Sequence, residues 1–401
     1  MSKINELIQT LCPDGVEYKK LGEVATISRG NGFQKKDFVE EGRPCIHYGQ
    51  IFMHYSKIGI ATSETLAYID NDKYEKNAKA LPNDIVMAVT SENVEDVCKC
   101  VVWEGDEPVA VSGHTAIFHT EMNSKFLAYW FGSSDFYVQK VRLAHGIKVI
   151  EVTPAAMVNI VLPVPPRPVQ DEIVRILDEY TDLEAELEAK LSEEIKLKQK
   201  QYEVYRDELL TFGDDVEYKK IRDVYTRLRG TPITAGKMKE IADENGDVRI
   251  FAGGKTVINA FEKDIPKANI TRVPAVLVQS RGVIDFVYYD KPFTFKNEMW
   301  AYTHENTMSV QYLCYVLKNN AQTFRNEASG MGSMPQISLS VTEDFEIPVP
   351  SPTEQERIVK ILDKYDTYTR DMISALNTEL ESRKKQYAYY RDQLLTFKRK
   401  E

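Results

Sequence analysis

LPVPPRPVQDEIVRILDEY (162–180) and IPVPSPTEQERIVKILDKY (347–365) are one pattern written twice. The match continues without a gap over 162–212 and 347–397, at a constant offset of 185. It closes on YRDELLTF (205–212) and YRDQLLTF (390–397). A second duplication, at an offset of 200, relates GVEYKKLGEVATISRG (15–30) to DVEYKKIRDVYTRLRG (215–230). Repeats of this length decide the architecture before any single residue is read. The chain runs variable block, repeat, variable block, repeat, and its second variable block is 15 residues shorter.

Each repeat spells a long helix. Ser351-Pro352-Thr353-Glu354 supplies a capping box with proline at the first helical position. The first copy has Pro166 in place of Ser351 and is less well capped. Beyond these starts no Gly or Pro occurs until Gly213, and none in the second copy. Apolar residues step by three and four through Ile173, Ile176, Tyr180, Leu183, Leu187, Leu191, Ile195, Tyr202, Tyr205 and Leu209, and again from Ile358 to Leu394. That spacing predicts a coiled-coil-like seam. A helix of about 45 residues at 1.5 Å per residue is a rod of about 65 Å. Two such helices with a block between them are expected to pack antiparallel about a pseudo-two-fold axis. Residues 5–11 lead into one block as 209–212 lead into the other. This predicts a circular arrangement, with the N-terminal helix near the end of the second long helix.

The variable blocks mix short apolar runs with turns. Strands are expected at 85–89, 100–103 and 109–111, then at 248–251, 275–279 and 283–289. Helices are expected at 124–131 and 310–319. The fold class is therefore α+β: two mixed-sheet domains separated by two long helices packed as an antiparallel coiled coil. The expected boundaries are 1–161 and 214–346 for the blocks, and 162–213 and 347–401 for the helices.

Composition narrows function. The chain has 401 residues and 43% hydrophobic content, which excludes global disorder. Its net charge of −10 argues at first against a nucleic-acid binder. Counted by segment, the net charge is −5 over 1–160, −7 over 161–214, 0 over 215–346 and +2 over 347–401. The largest deficit thus lies in the first helix, away from the blocks. Five cysteines with a single CxC (Cys98, Cys100) read as reduced thiols. The N-terminus lacks a signal-peptide core, and no run nears the ~18 apolar residues of a membrane span. A soluble, cytoplasmic protein is expected.

No catalytic constellation emerges. The six histidines form no HExxH pair, so no metal site is expected. Gly253-Gly254-Lys255-Thr256 ends like a phosphate loop but lacks the motif's first glycine, with Arg249 in that place. Val164-Pro165-Pro166 lacks the polar first residue of a nucleotide methyltransferase motif. The basic residues are more informative. Arg29, Lys35 and Lys36 follow one duplicated segment, and Arg227, Arg229, Lys237 and Lys239 follow the other. Asn31 and Thr231 lie in the same loops. Thr90 and Ser91, Ser280 and Arg281, and Ser333 and Gln336 occupy further polar loops. Such side chains suit phosphates and base edges. Lys255, His114 and Lys148 complete the loop candidates.

The chain resembles the specificity subunits of type I restriction-modification systems. The carriers are CPDGVEYKKLGEV (12–24), the duplicated L/I-P-V-P helix starts, the paired YRDxLLTF endings and RPCIHYGQI (43–51). The last adds Tyr48 and Gln50 to the candidate DNA contacts. The resemblance implies two target-recognition domains, each reading half of a split site in double-stranded DNA. It implies helices that set the spacing and dock two methyltransferase (modification) subunits, with restriction (endonuclease/translocase) subunits joining them. The chain itself would be non-catalytic and without cofactor. S-adenosylmethionine, ATP and Mg²⁺ would belong to the partners. The first block departs from the second in having Ser91-Glu92 where Arg281-Gly282 is expected to align. The competing reading is a coiled-coil scaffold that binds only proteins.

Overall fold

A computed structural model describes residues 2–55, 57–65, 67–254, 256–329 and 335–401. The chain divides into two compact units. The first comprises Met1–Ser192 and Asn377–Glu401, and the second Glu193–Leu376. These limits fall inside the long helices rather than at their starts. The reason is packing. Ile173, Val174 and Leu177, near the start of the first helix, enter the first block's core. Leu210, at its end, enters the second block's core.

Both long helices form as expected, Arg167–Leu210 and Pro352–Leu395, each 44 residues. Ser351 Oγ accepts from Glu354 N at 3.3 Å, which is the cap. The Glu354 carboxylate turns instead to Arg357, so the reciprocal half of the box is replaced by an ion pair. A glutamine locks each start. Gln170 donates to Pro165 O at 2.7 Å, and Gln355 to Pro350 O at 2.9 Å. Within each unit the helix segments run antiparallel. Tyr180 stacks on Tyr390 in the first unit, and Tyr205 meets Tyr365 in the second. These pairs exchange under the 185-residue offset, so each unit repeats the contact of the other. The seam is narrower than its spacing implied: Leu183 is 62% exposed.

Among the described residues each block has two principal sheets, parallel and antiparallel pairing mixed, with two-stranded pairs beside them. In the first unit the central sheet orders Ala25–Arg29, Thr115–Thr120, Ile85–Ala88, Cys100–Trp103 and Gly59–Ile60. Its last pair is parallel and the others antiparallel. Ile85 and Met87 face one core cluster while Val86 and Ala88 face another. Burial on both faces explains why that run is continuously apolar. A second sheet pairs Arg43–Ile46 in parallel with Val109–Val111. The second unit repeats the plan with Thr226–Arg229, Trp300–Thr303, Ala275–Gln279 and Asp285–Tyr289, and with Val248–Phe251 parallel to Phe293–Phe295.

The circular closure is present in the first unit. Ile4 and Val16 share a core with Leu395 and Phe397. Val16 N donates to Lys398 O at 2.8 Å, and Lys400 N to Val16 O at 2.9 Å. Tyr18 Oη donates to Phe397 O as Tyr218 Oη does to Phe212 O.

Candidate nucleic-acid interface

In the first unit, three strand ends meet at one edge of the central sheet. Arg29 is paired with Ala116, and Ala88 with Thr115. Gly30 lets the chain pass there, because an added Cβ would lie 2.3 Å from Ser112 O. His114 sits next door with φ +63°. Its ring lies 5.3 Å from that of Tyr48, whose N donates to Ser112 Oγ at 3.0 Å. Lys35 and Lys36 are exposed on the short turn Lys35–Asp37. Asn31 is also exposed, and its Oδ1 accepts from Ala78 N.

Beyond Val89, the chain pairs Thr90 with Glu151 and Ser91 with Ile150. Glu151 closes a hairpin: its N donates to His145 O at 2.8 Å and its O accepts from His145 N at 3.0 Å. Lys148 is exposed in that hairpin's loop. Arg29 reaches across to Glu151 Oε1 at 2.8 Å. The buried Lys140 ammonium donates to the carbonyls of Glu95 and Val97 at 3.1 and 2.8 Å. It pins the loop that follows Ser91. Burial lowers its pKa.

The second unit has the same construction. Arg281 and Gln336 form the equivalent antiparallel bridge, and Gln336 and Ser329 the equivalent hairpin closure. Arg281 Nε donates to Gln336 Oε1 at 3.1 Å, and both residues are exposed. Thr90 therefore stands where Arg281 stands, which corrects the expected alignment of Ser91 with it by one residue. Gly254 (φ +68°) and Gly282 (φ +79°) let two turns pack backbone to backbone. A Cβ on Gly282 would lie 3.3 Å from Gly254 Cα. Arg227 and Arg229 share one strand face. Arg227 is half-buried and paired with Glu343, whereas Arg229 is exposed.

Several candidates turn inward. Gln50 is 4% exposed, and its Oε1 accepts from His47 N to cap helix Tyr48–Met53. Thr231 is fully buried, bonded to Thr294 Oγ1 and Asn269 N. Ser280 is 1% exposed and donates to Glu298 O. Thr90 is 6% exposed. Lys237 lies on helix Ala235–Ile241, which contributes Met238 to a separate core cluster, and it pairs with Glu240. Lys255 and Ser333 lie outside the described residues. Glu151 was not among the sequence candidates, although the offset that relates the helices also relates it to Gln336. His47 is lowered to about 4 by burial and by the charges of Lys35 and His114, and its Nδ1 accepts from Gly49 N. Among the described residues no cluster of His, Cys, Asp and Glu could hold a metal ion. No helix is long and apolar enough to cross a membrane.

Duplicated α+β units, each carrying a polar hairpin at one sheet end, are joined by two helices that run through both. The family model for the type I restriction modification DNA specificity domain matches residues 13–197 and 213–382, and the chain belongs to that family. Over 265 residues it is 33% identical to the EcoR124I/EcoR124II specificity subunit of Escherichia coli, covering 61% of this chain and 64% of that one. The chain thus matches just under two thirds of that relative's length. It is 29% identical over 295 residues to the Haemophilus influenzae protein named as type I restriction enzyme specificity subunit S.HindORF215P, covering 69% and 73%. A solved structure from work on assembly and conformational transition of the type I R-M system shares the fold, with a TM-score of 0.72 at 15% identity over 96% of this chain and 98% of that one.

Proposed function

We propose that this chain is the non-catalytic DNA sequence-recognition subunit of a type I restriction-modification complex in the cytoplasm. Blocks 1–161 and 214–346 each read one half of a bipartite site in double-stranded DNA. The long helices set the spacing and dock two methyltransferase subunits, and restriction subunits complete the assembly. S-adenosylmethionine, ATP and Mg²⁺ serve those partners. One observation carries this reading: two units of the same construction bring their polar hairpin and loop side chains to the same end of equivalent sheets. Arg29, Asn31, Lys35, Lys36, Tyr48, His114 and Lys148 are the contacts of the first block. Arg229, Arg281 and Gln336, with Arg227 beside them, are those of the second. Phosphate attraction comes largely from the partners, because neither block carries a net positive charge.

The test is binding of labelled duplexes by the chain with its methyltransferase partner. Sequence-selective binding that weakens with salt is expected. A protein-only scaffold would retain the partner and show no sequence preference.

A further inference from the structure

The charge pattern of the first block's sheet end contains an exception. Arg29, Lys35, Lys36, His114 and Lys148 surround or flank the loops there, yet Glu151 stands among them. An acid in that place repels phosphate. Three features make it more than a solvated charge. Its backbone is fixed from both sides, by His145 and by the pairing with Thr90. Arg29 engages Oε1 at 2.8 Å, so the carboxylate has a defined direction. The side chain is still 30% exposed, and Oε2 accepts no hydrogen bond among the described residues. A carboxylate only accepts hydrogen bonds. In the major groove the donors facing it are the exocyclic amino groups of cytosine and adenine.

The second unit supplies the comparison. Gln336 occupies the same bridge, with Arg281 in the place of Thr90. The two blocks therefore present different donor and acceptor sets from one backbone frame. The second offers a guanidinium and an amide. The first offers a carboxylate with the guanidinium delivered from Arg29, at the end of strand Ala25–Arg29.

We propose that Glu151 is a specificity-determining residue of the first block, its carboxylate accepting from the amino group of a cytosine or adenine while Arg29, oriented by it, addresses the adjacent base. This rests on the DNA-recognition reading above and deepens it.

The experiment maps methylated sites in cells that carry the partner subunits together with wild-type chain, Glu151→Gln, or an Arg281→Ala control. Glu151→Gln keeps the shape and removes the charge. We expect discrimination at one position of one half-site to fall by about 5- to 150-fold. The other half-site should stay intact, which also shows that the variant folds. Arg281→Ala should alter only that other half-site. If Glu151→Gln lowers methylation equally on all sequences and leaves both half-sites unchanged, Glu151 serves only to hold Arg29 and the proposal is overturned. If wild-type chain directs no sequence-specific methylation at all, the recognition reading itself fails.

Discussion

Leu395→Ala separates a circular architecture from a linear one. Leu395 is 3% exposed at the end of the second long helix, inside the core that also holds Ile4, Val16, Leu21 and Val169. Truncating a buried leucine costs about 2–5 kcal/mol, depending on how far the site collapses. A helix terminus relaxes readily, so the lower part applies, about 2–3 kcal/mol. The backbone bonds between Val16 and residues 398 and 400 remain, which limits the damage to local opening. Hydrogen exchange reads such opening directly. Peptides covering residues 2–20 should exchange about 30- to 150-fold faster. Those within Glu193–Leu376 should be unchanged. The counterpart, Leu210→Ala, should do the reverse, because Leu210 lies in the second core. Loss of protection in the second unit on Leu395→Ala, with residues 2–20 unaffected, would refute the closure.

Other predictions follow from single contacts. Gln170 makes two bonds, a part-buried one from Asn123 N and a buried one to Pro165 O, whereas Gln355 makes one and its Oε1 has no partner among the described residues. Gln170→Met should therefore destabilise more than Gln355→Met, by about 1–3 kcal/mol in thermal or denaturant unfolding. His47 is held neutral, with its pKa at about 4 against an ordinary 6.5. As pH falls through that interval the unfolded chain takes up a proton that the folded chain refuses. Stability of the first block should fall by up to about 1.4 kcal/mol per pH unit. His47→Asn keeps a capping acceptor and should flatten the profile. Arg281→Ala should relax one half-site by about 1–3 kcal/mol in competition binding if it reads a guanine. Equal weakening on all sequences would make it a phosphate contact.

The long helices were legible because their signals are local and repeated: a cap, an unbroken run and a three-four step. The strand at 85–88 was legible because burial on both faces leaves four apolar residues in a row. The second sheets are legible only in part, at Val109–Val111 and Val248–Phe251. Strands such as Phe38–Val39 and Tyr68–Ile69 are two residues long, and their pairing joins distant segments. No periodicity exists over two residues. The site divided along similar lines. Arg29 and Arg281 are exposed, as a basic residue beside a glycine turn is by default. Thr231, Ser280 and Gln50 are buried instead, because a hydroxyl or amide serves a backbone as well as a base, and only packing decides. Glu151 was passed over because a lone acid carries no signal by itself. Aligning 145–151 with 329–336 would have set it against Gln336 and marked the position.

The central claim is that one chain carries two independent readers on a helical ruler. Its most direct test deletes seven residues from both long helices, at positions 185 apart, and maps methylation in cells with the partner subunits. Seven residues shorten each helix by about 10 Å and nearly preserve its facing. At about 3.4 Å per base pair, the unread spacer should shorten by about three base pairs, with both half-sites unchanged. An unchanged spacer, or altered bases within either half-site, would contradict the account.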